Sequence, residues 1–453
     1  MFDRSKPPRS GSLSKSAFPK YEEFALAGGT PVYLVENHTQ PYVSIAIYIT
    51  SGASLDLPQT QGLASVTSEM MTKGTKSRAA LKIAEEIDFV GGSLSSNAGW
   101  DASTVSTSVL KRYLPIASDL LCDILQNAAF AEEELDRIKL QRIAGIKHAK
   151  SDAGYLADTL FAKMVFGTHP YSFEAGGTET SVAALTPGHL KNFYSEHFSA
   201  KNAFVIAAGD LTALELQDIF NERLASWNTN EKKQVASGDV GIQKGNIVGL
   251  VKKEGAVQSA IRLGHLGISR SDPDYIPAYV MNVLLGGYFN SRINANLREK
   301  NGFTYGARSY FDSRKQTGAF LVSTEVRTEV TVRALEEILV EVKKIREEMV
   351  SDDELTMVKN YIIGNFPVSI ETPQQAAGRL AMLPLYGLEH GYYDTFRDKV
   401  AALTKADILR AAETYLHPDA VTISISGDAD ALENTLGAFG TVELYNQNFE
   451  KIH

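Results

Sequence analysis

Two stretches of the chain share one order of apolar and polar positions. Residues 42–51 and residues 258–267 are strand-like runs, each followed by a polar turn and then a helix-like segment. Further on, Leu335, Ile338, Leu339, Val342, Ile345 and Met349 recur at helical spacing on one face, with Glu336, Glu337, Lys343 and Lys344 on the other. Ser351 and Glu354 then make a capping-box pattern for another helix. The acidic runs at 132–134 and 352–354 are expected at helix starts, where carboxylates favour the helix dipole. Strands and helices come in mixed order without regular βαβ alternation, which predicts an α+β fold in which sheets are covered by amphipathic helices.

A repeat organises these elements. Leu185-Thr186-Pro187 opens a helix ending near Phe193-Tyr194, and the apolar run 204–208 then leads to Gly209-Asp210. Leu403-Thr404-Lys405 opens a helix ending at Tyr415-Leu416, and the run 421–425 leads to Gly427-Asp428, roughly half the chain later. Duplication of one fold explains this most economically. Residues 228–246, rich in Asn, Lys, Gly, Ser and Gln, read as an exposed linker. The expected organisation is a flexible tail at 1–20, a first domain at 21–227, the linker at 228–246 and a second domain at 247–453.

Composition narrows the function classes. The 453 residues are 44% hydrophobic, enough for a core in each of two domains. The 45 basic and 54 acidic residues leave a mildly negative charge that does not suit a phosphate backbone, so nucleic acid is not an expected partner. Cys122 is the single cysteine and, in Leu120-Leu121-Cys122-Asp123, reads as a buried helix residue. One cysteine excludes an internal disulfide and a Cys-rich zinc site and fits a reducing compartment. No run approaches the about 18 apolar residues of a membrane span. The first twenty residues lack the apolar core of a secretory signal, and Pro7 and Pro8 would interrupt the helix of a transit peptide. A cytoplasmic location is the expectation. No Gly-x-Ser-x-Gly elbow, Walker loop or Gly-x-Gly-x-x-Gly fingerprint is present.

The stretch Gly62-Leu63-Ala64-Ser65-Val66-Thr67-Ser68-Glu69-Met70-Met71-Thr72-Lys73-Gly74-Thr75 resembles the active-site helix of the insulinase or pitrilysin-type metallopeptidases, in the branch of the processing peptidases and the bc1 core proteins. That family's inverted motif, His-x-x-Glu-His, sets two imidazoles one turn apart on zinc with a glutamate that activates water. By this resemblance the first histidine is Ser65, the glutamate is Ser68 and the second histidine is Glu69. The later helix that supplies a further glutamate ligand carries Gln141 and Arg142 at the corresponding place. Neutral hydroxyls are poor zinc ligands, and Ser68 cannot serve as a general base near neutral pH. The resemblance, supported also by His169-Pro170-Tyr171, implies two homologous domains in a clam-shell arrangement, each a largely antiparallel sheet packed with helices. No zinc is expected on this chain. His148, beside Lys147 and Lys150, reads as a surface residue.

Other motifs persist. Leu297-Arg298-Glu299-Lys300-Asn301-Gly302-Phe303-Thr304-Tyr305 resembles the family segment whose arginine and tyrosine contact substrate near the scissile bond. The resemblance implies that Arg298 forks onto a substrate carbonyl and Tyr305 donates to a developing oxyanion. The residues alone favour the plainer reading, in which Arg298 pairs with a neighbouring carboxylate at a helix end and Tyr305 fills a strand position. Asn97 and Ala98, in Gly91-Gly92-Ser93-Leu94-Ser95-Ser96-Asn97-Ala98, resemble the edge strand to which substrate adds, although an ordinary paired strand has the same pattern. Gly286-Gly287 is too short for the glycine-rich loop of the processing-peptidase α subunit. Together these imply a non-catalytic, substrate-contacting subunit whose partners are a zinc-bearing homologous chain and extended peptides. A structural scaffold subunit is the alternative.

Overall fold

The computed structural model describes residues 17–230, 240 and 245–452. The predicted tail up to residue 16 and the predicted linker from 231 to 244, residue 240 excepted, lie outside the described residues.

Two six-stranded sheets form the framework. The first contains β1 (Glu22–Ala25), β2 (Pro31–Glu36), β3 (Tyr42–Ile49), β4 (Ser93–Ala98), β5 (Ser103–Leu110) and β6 (Ala203–Gly209), in the order β1-β2-β6-β3-β5-β4. The second contains β7 (Ile247–Lys252), β8 (Gln258–Gly267), β9 (Ala307–Ser313), β10 (Gly318–Arg327), β11 (Thr422–Gly427) and β12 (Thr441–Tyr445), in the order β12-β7-β11-β8-β10-β9. Five strands of each sheet correspond in order, and the repeated runs before the two Gly-Asp pairs become the equivalent strands β6 and β11. The outer strands break the symmetry, since β1 runs antiparallel to β2 whereas β12 runs parallel to β7. Most pairings are antiparallel, as expected of the α+β class.

In β3, Val43, Ile45, Ile47 and Ile49 are fully buried while the intervening residues are half-buried, the period-2 pattern of a strand with one face in the core. β6 is buried at every position because both of its faces are covered. The second cover comes from the other half of the chain: the Pro373–Tyr386 helix packs on β6 and β2. In return the Ala153–Phe166 helix of the first half packs on β11, β8 and β7. The halves close on each other as a clam-shell, and each lends a helix to its partner's sheet.

This exchange fuses the cores. Leu156 and Leu160 are buried against Val251, and burying a leucine side chain is worth about 1.5–3 kcal/mol. Gly249 makes room for the crossing, because a Cβ there would meet Met164 Sδ at 2.5 Å and Leu160 Cδ2 at 2.8 Å. Arg262 forks onto Asp158 at 2.5 and 3.0 Å across the halves. The β9–β10 turn docks similarly: Arg314 lies over the rings of Trp100, Tyr171 and Phe166, and the Lys315 amide donates to Asp101 at 3.1 Å. Tyr171 is completely buried, its hydroxyl on Asp101 at 2.5 Å, so His169-Pro170-Tyr171 is a structural joint between halves.

The amphipathic helix spans Thr331–Glu347 and buries Leu335, Ile338, Val342 and Ile345. Met349, expected on that face, lies beyond its end and is 61% exposed. Glu348 turns extended there, and Ser351 with Glu354 forms the expected capping box of the Asp352–Val368 helix. Cys122 is buried in the Leu114–Asn127 helix.

Candidate functional site

The helix carrying the degenerate motif spans Leu63–Met71 and begins after Gly62, whose φ of 87° suits glycine. A Cβ on Gly62 would lie 2.8 Å from Gly177, so glycine here lets the 174–177 turn close on the helix start. The buried Asp56 carboxylate accepts from the Gly62 and Ala64 amides at 2.8 and 3.0 Å, satisfying donors that a helix start leaves open. Burial pushes its carboxyl up to about 7, against the lowering effect of those amides.

Ser65 and Glu69, one turn apart, face outward and are half-buried. Ser68 is completely buried, and its hydroxyl finds no partner among the described residues. From the Glu132–Ala149 helix, Arg142 reaches across to this face. Its Nε and Nη2 donate to Glu69 Oε2 at 2.8 and 2.6 Å, and its Nη1 donates to Ser65 Oγ at 3.0 Å. A weaker contact from Nη2 to the Ser65 carbonyl at 3.3 Å completes the clamp. The guanidinium thus bridges Ser65 and Glu69, the two positions that the sequence resemblance aligns with the family's histidines. Gln141, the preceding residue, is exposed and accepts instead from Arg137 Nη1 at 3.2 Å, because one residue of helix rotates a side chain by about 100°.

These donors do not fit zinc. Two hydroxyl positions and one carboxylate already engaged by a guanidinium offer neither the imidazoles nor the open carboxylates such an ion needs. Among the described residues no group of three or more His, Cys, Asp or Glu side chains is placed to hold a metal. His148 is exposed near the end of its helix.

A polar recess of about 340 Å³ opens above the clamp, lined by Ser65, Glu69, Lys73, Asn97, Ala98 and Arg142. One wall is β4, which pairs with β5 alone, Asn97 opposite Thr104 and Ala98 opposite Ser103. Among the described residues its other edge has no strand neighbour, which leaves it open to an added one. On the far side of Arg142 lies a cavity of about 500 Å³ with Trp100, Ile146, Ala162 and Phe173 in its lining.

In the second half, Arg298 lies in a π-helical segment, Ala295–Lys300, and a second such segment spans Val283–Gly287. The Arg298 guanidinium stacks 4.4 Å from the Phe289 ring centre and approaches Glu299 at 3.3 Å, so part of it serves the local pairing that the sequence allowed. The atom that approaches Glu299 is Nη1, which among the described residues makes no aligned hydrogen bond. Tyr305 is 98% exposed on the loop before β9, so it does not fill a strand position. Phe289, also 65% exposed, was not singled out from the sequence, nor was Asp56. An acidic residue shortly before an apolar helix was the available signal for Asp56; nothing local marked Phe289.

No described helix is long and apolar enough to cross a membrane. Residues 31–170 match the family model described as insulinase (peptidase family M16), and residues 184–362 match the one described as peptidase M16 inactive domain. An uncharacterized zinc protease of Streptomyces coelicolor is 26% identical over 381 residues, covering 82% of each chain. The non-peptidase homolog YmxG of Helicobacter pylori is 24% identical over 402 residues, covering 87% of this chain and 91% of that one. A crystal structure of a peptidase M16 inactive domain from Pseudomonas fluorescens superposes with a TM-score of 0.85 at 26% identity, covering 90% of this chain and 98% of that one. With both halves matched and the fold shared over 90% of its length, the chain belongs to the insulinase-type peptidase family M16.

Proposed function

We propose that this chain is the metal-free, substrate-contacting subunit of a two-chain zinc endopeptidase, inactive alone. The observation that carries the reading is the Arg142 clamp: a fixed guanidinium stands over the zinc-motif positions while the neighbouring β4 edge stays free. An extended peptide adds to that edge through backbone hydrogen bonds, with alternate side chains directed into the recess. Zinc and the water-activating glutamate belong to the homologous partner. Arg298 and Tyr305 reach the partner's reacting carbonyl, the former with its guanidinium and the latter with its exposed phenol. Hydrogen bonds aimed at developing charge are worth about 10²–10³ in rate per donor. The exposure of Tyr305 and Phe289 is compatible with the reading, since aromatic side chains are enriched at interfaces. The chain is expected to act in the cytoplasm.

The test combines the purified chain with the zinc-motif homologue from the same source, measuring zinc content and cleavage of an unstructured peptide. Each chain alone is expected to be inactive, and the mixture active. Arg298→Ala and Tyr305→Phe should lower turnover about 10²-fold without changing complex assembly. Full activity in both variants would favour a scaffold role, and stoichiometric zinc with cleavage by this chain alone would refute the proposal.

A further inference from the structure

The second half holds a pocket remote in sequence from the degenerate motif. It lies between the Tyr275–Asn282, Asp352–Val368 and Tyr392–Ala402 helices and measures about 260 Å³. Its walls are aromatic, with Tyr279 stacked on Tyr275, and Phe366 and Phe396 in mutual contact. Its charged lining residues are Arg270 and Arg379, with no carboxylate among them.

Arg270 is the unusual member. It is only 9% exposed, held in place by a backbone bond from its amide to the Arg314 carbonyl at 2.8 Å. Its guanidinium lies 3.9 Å from the Tyr275 ring centre and 5.0 Å from that of Tyr392. Ring contacts of this kind engage the faces of the guanidinium. The in-plane N–H donors are a separate matter, and Nη1 is buried without a hydrogen-bond partner among the described residues. The neighbouring polar groups are phenols: Tyr392 faces Arg270 and Tyr393 faces Arg379, although neither hydroxyl meets a well-aligned partner among the described residues. Arg262, the other arginine buried to this depth among the described residues, is matched to the Asp158 carboxylate. A buried cation that lacks a counter-charge is costly unless an anion is supplied from outside.

From this arrangement we propose that the pocket is a binding site for a small aromatic carboxylate. Its carboxylate lies in the plane of the Arg270 guanidinium and is shared with Arg379, a charge-assisted fork that matches planar donors to a planar acceptor. The phenols of Tyr392 and Tyr393, whose oxygens face Arg270 and Arg379, donate their O–H groups to the remaining lone pairs. The ring of the ligand packs against Phe366, Phe396 and the stacked tyrosines, and the volume suits a single ring with a short acid arm. Inorganic phosphate would satisfy the two cations but leave the aromatic walls unused. This site is independent of the peptide-binding reading and stands or falls separately from it.

The test uses the full chain with 4-hydroxyphenylacetate as probe, followed by calorimetry and ligand-observed NMR. The uncharged 4-hydroxyphenylacetamide and inorganic phosphate are the comparison compounds. The acid should bind saturably, with the amide and phosphate each at least about tenfold weaker, the size expected for one lost charge-assisted contact. Arg379→Gln, at an exposed position, should weaken the acid at least about fivefold. Arg270→Met should abolish binding and raise the melting temperature of the ligand-free chain, because an uncompensated cation is removed. The proposal is overturned by absence of saturable binding at millimolar acid, by equal binding of acid and amide, or by phosphate competing on equal terms. Unchanged affinity in Arg379→Gln also overturns it, and so does a lowered melting temperature in Arg270→Met, which would make the guanidinium a structural prop.

Discussion

Replacing Arg142 by methionine removes the guanidinium while keeping the stem that packs between the two helices. Three good hydrogen bonds are lost, two to Glu69 and one to Ser65, at 2.6–3.0 Å. A fully buried pair broken in this way costs about 3–5 kcal/mol, and an exposed one about 0–1 kcal/mol. The side chains of Arg142 and Glu69 are 20% and 32% exposed, so solvent screens the abandoned carboxylate in part. That places the cost of Arg142→Met at about 2 kcal/mol and of Glu69→Gln at about 1 kcal/mol, between those limits. Because both changes break the same contact, the double variant should lose little more than Arg142→Met alone, leaving a coupling energy of about 1 kcal/mol. Urea unfolding of the four proteins, followed by far-UV circular dichroism, measures it. Repeating the cycle in 1 M salt should reduce the coupling only in part, since the pair is half-enclosed. A coupling below about 0.3 kcal/mol, the scatter expected for independent sites, would show that the clamp does not hold in solution.

Restoring metal ligands tests the same feature from the other side: Ser65→His with Glu69→His should bind zinc weakly while Arg142 remains, and tightly once Arg142→Glu is added, as read by zinc titration. Equal affinity with and without the Arg142 change would mean the guanidinium does not stand where the ion would. His265 should set an acid limit on stability. Its Nδ1–H donates to the Leu266 carbonyl at 2.7 Å and its Nε2 accepts from the His417 amide at 3.1 Å, so the neutral ring is required, and burial pulls its pKa down to about 4. The unfolded chain takes up this proton near 6.5 and the folded chain only near 4, so stability is lost as pH falls through that window, by on the order of 3 kcal/mol. His265→Gln, which keeps a donor and an acceptor, should flatten that part of the stability–pH curve; an unchanged slope would assign the acid sensitivity elsewhere. Finally, Leu160→Ala in the exchanged helix should cost about 2–5 kcal/mol and lower one common melting transition for both halves. Two separated transitions, only one of them shifted, would mean that the halves unfold independently.

Much of the framework was legible because it is written in local periodicity. The alternation that makes β3, the helical stripe from Leu335 to Ile345, the capping box at Ser351 and the paired Gly-Asp strand ends depend on near neighbours in sequence. That Ser65, Ser68 and Glu69 are not a His-x-x-Glu-His set is readable in the same way, since ligand chemistry belongs to the residue type. The reach of the Arg298 segment was not, because whether its tyrosine lies in a strand or in solvent depends on where β9 begins. Nor does anything within either half reveal that the Ala153–Phe166 and Pro373–Tyr386 helices each cover the other half's sheet: an amphipathic helix states that it needs an apolar partner, not which one. The same holds for the clamp. Arg142 could be seen as the absence of a glutamate, but only the packing of two helices distant in sequence brings its charge onto Glu69 and Ser65, because a salt bridge is a property of distance in space and the sequence contains none.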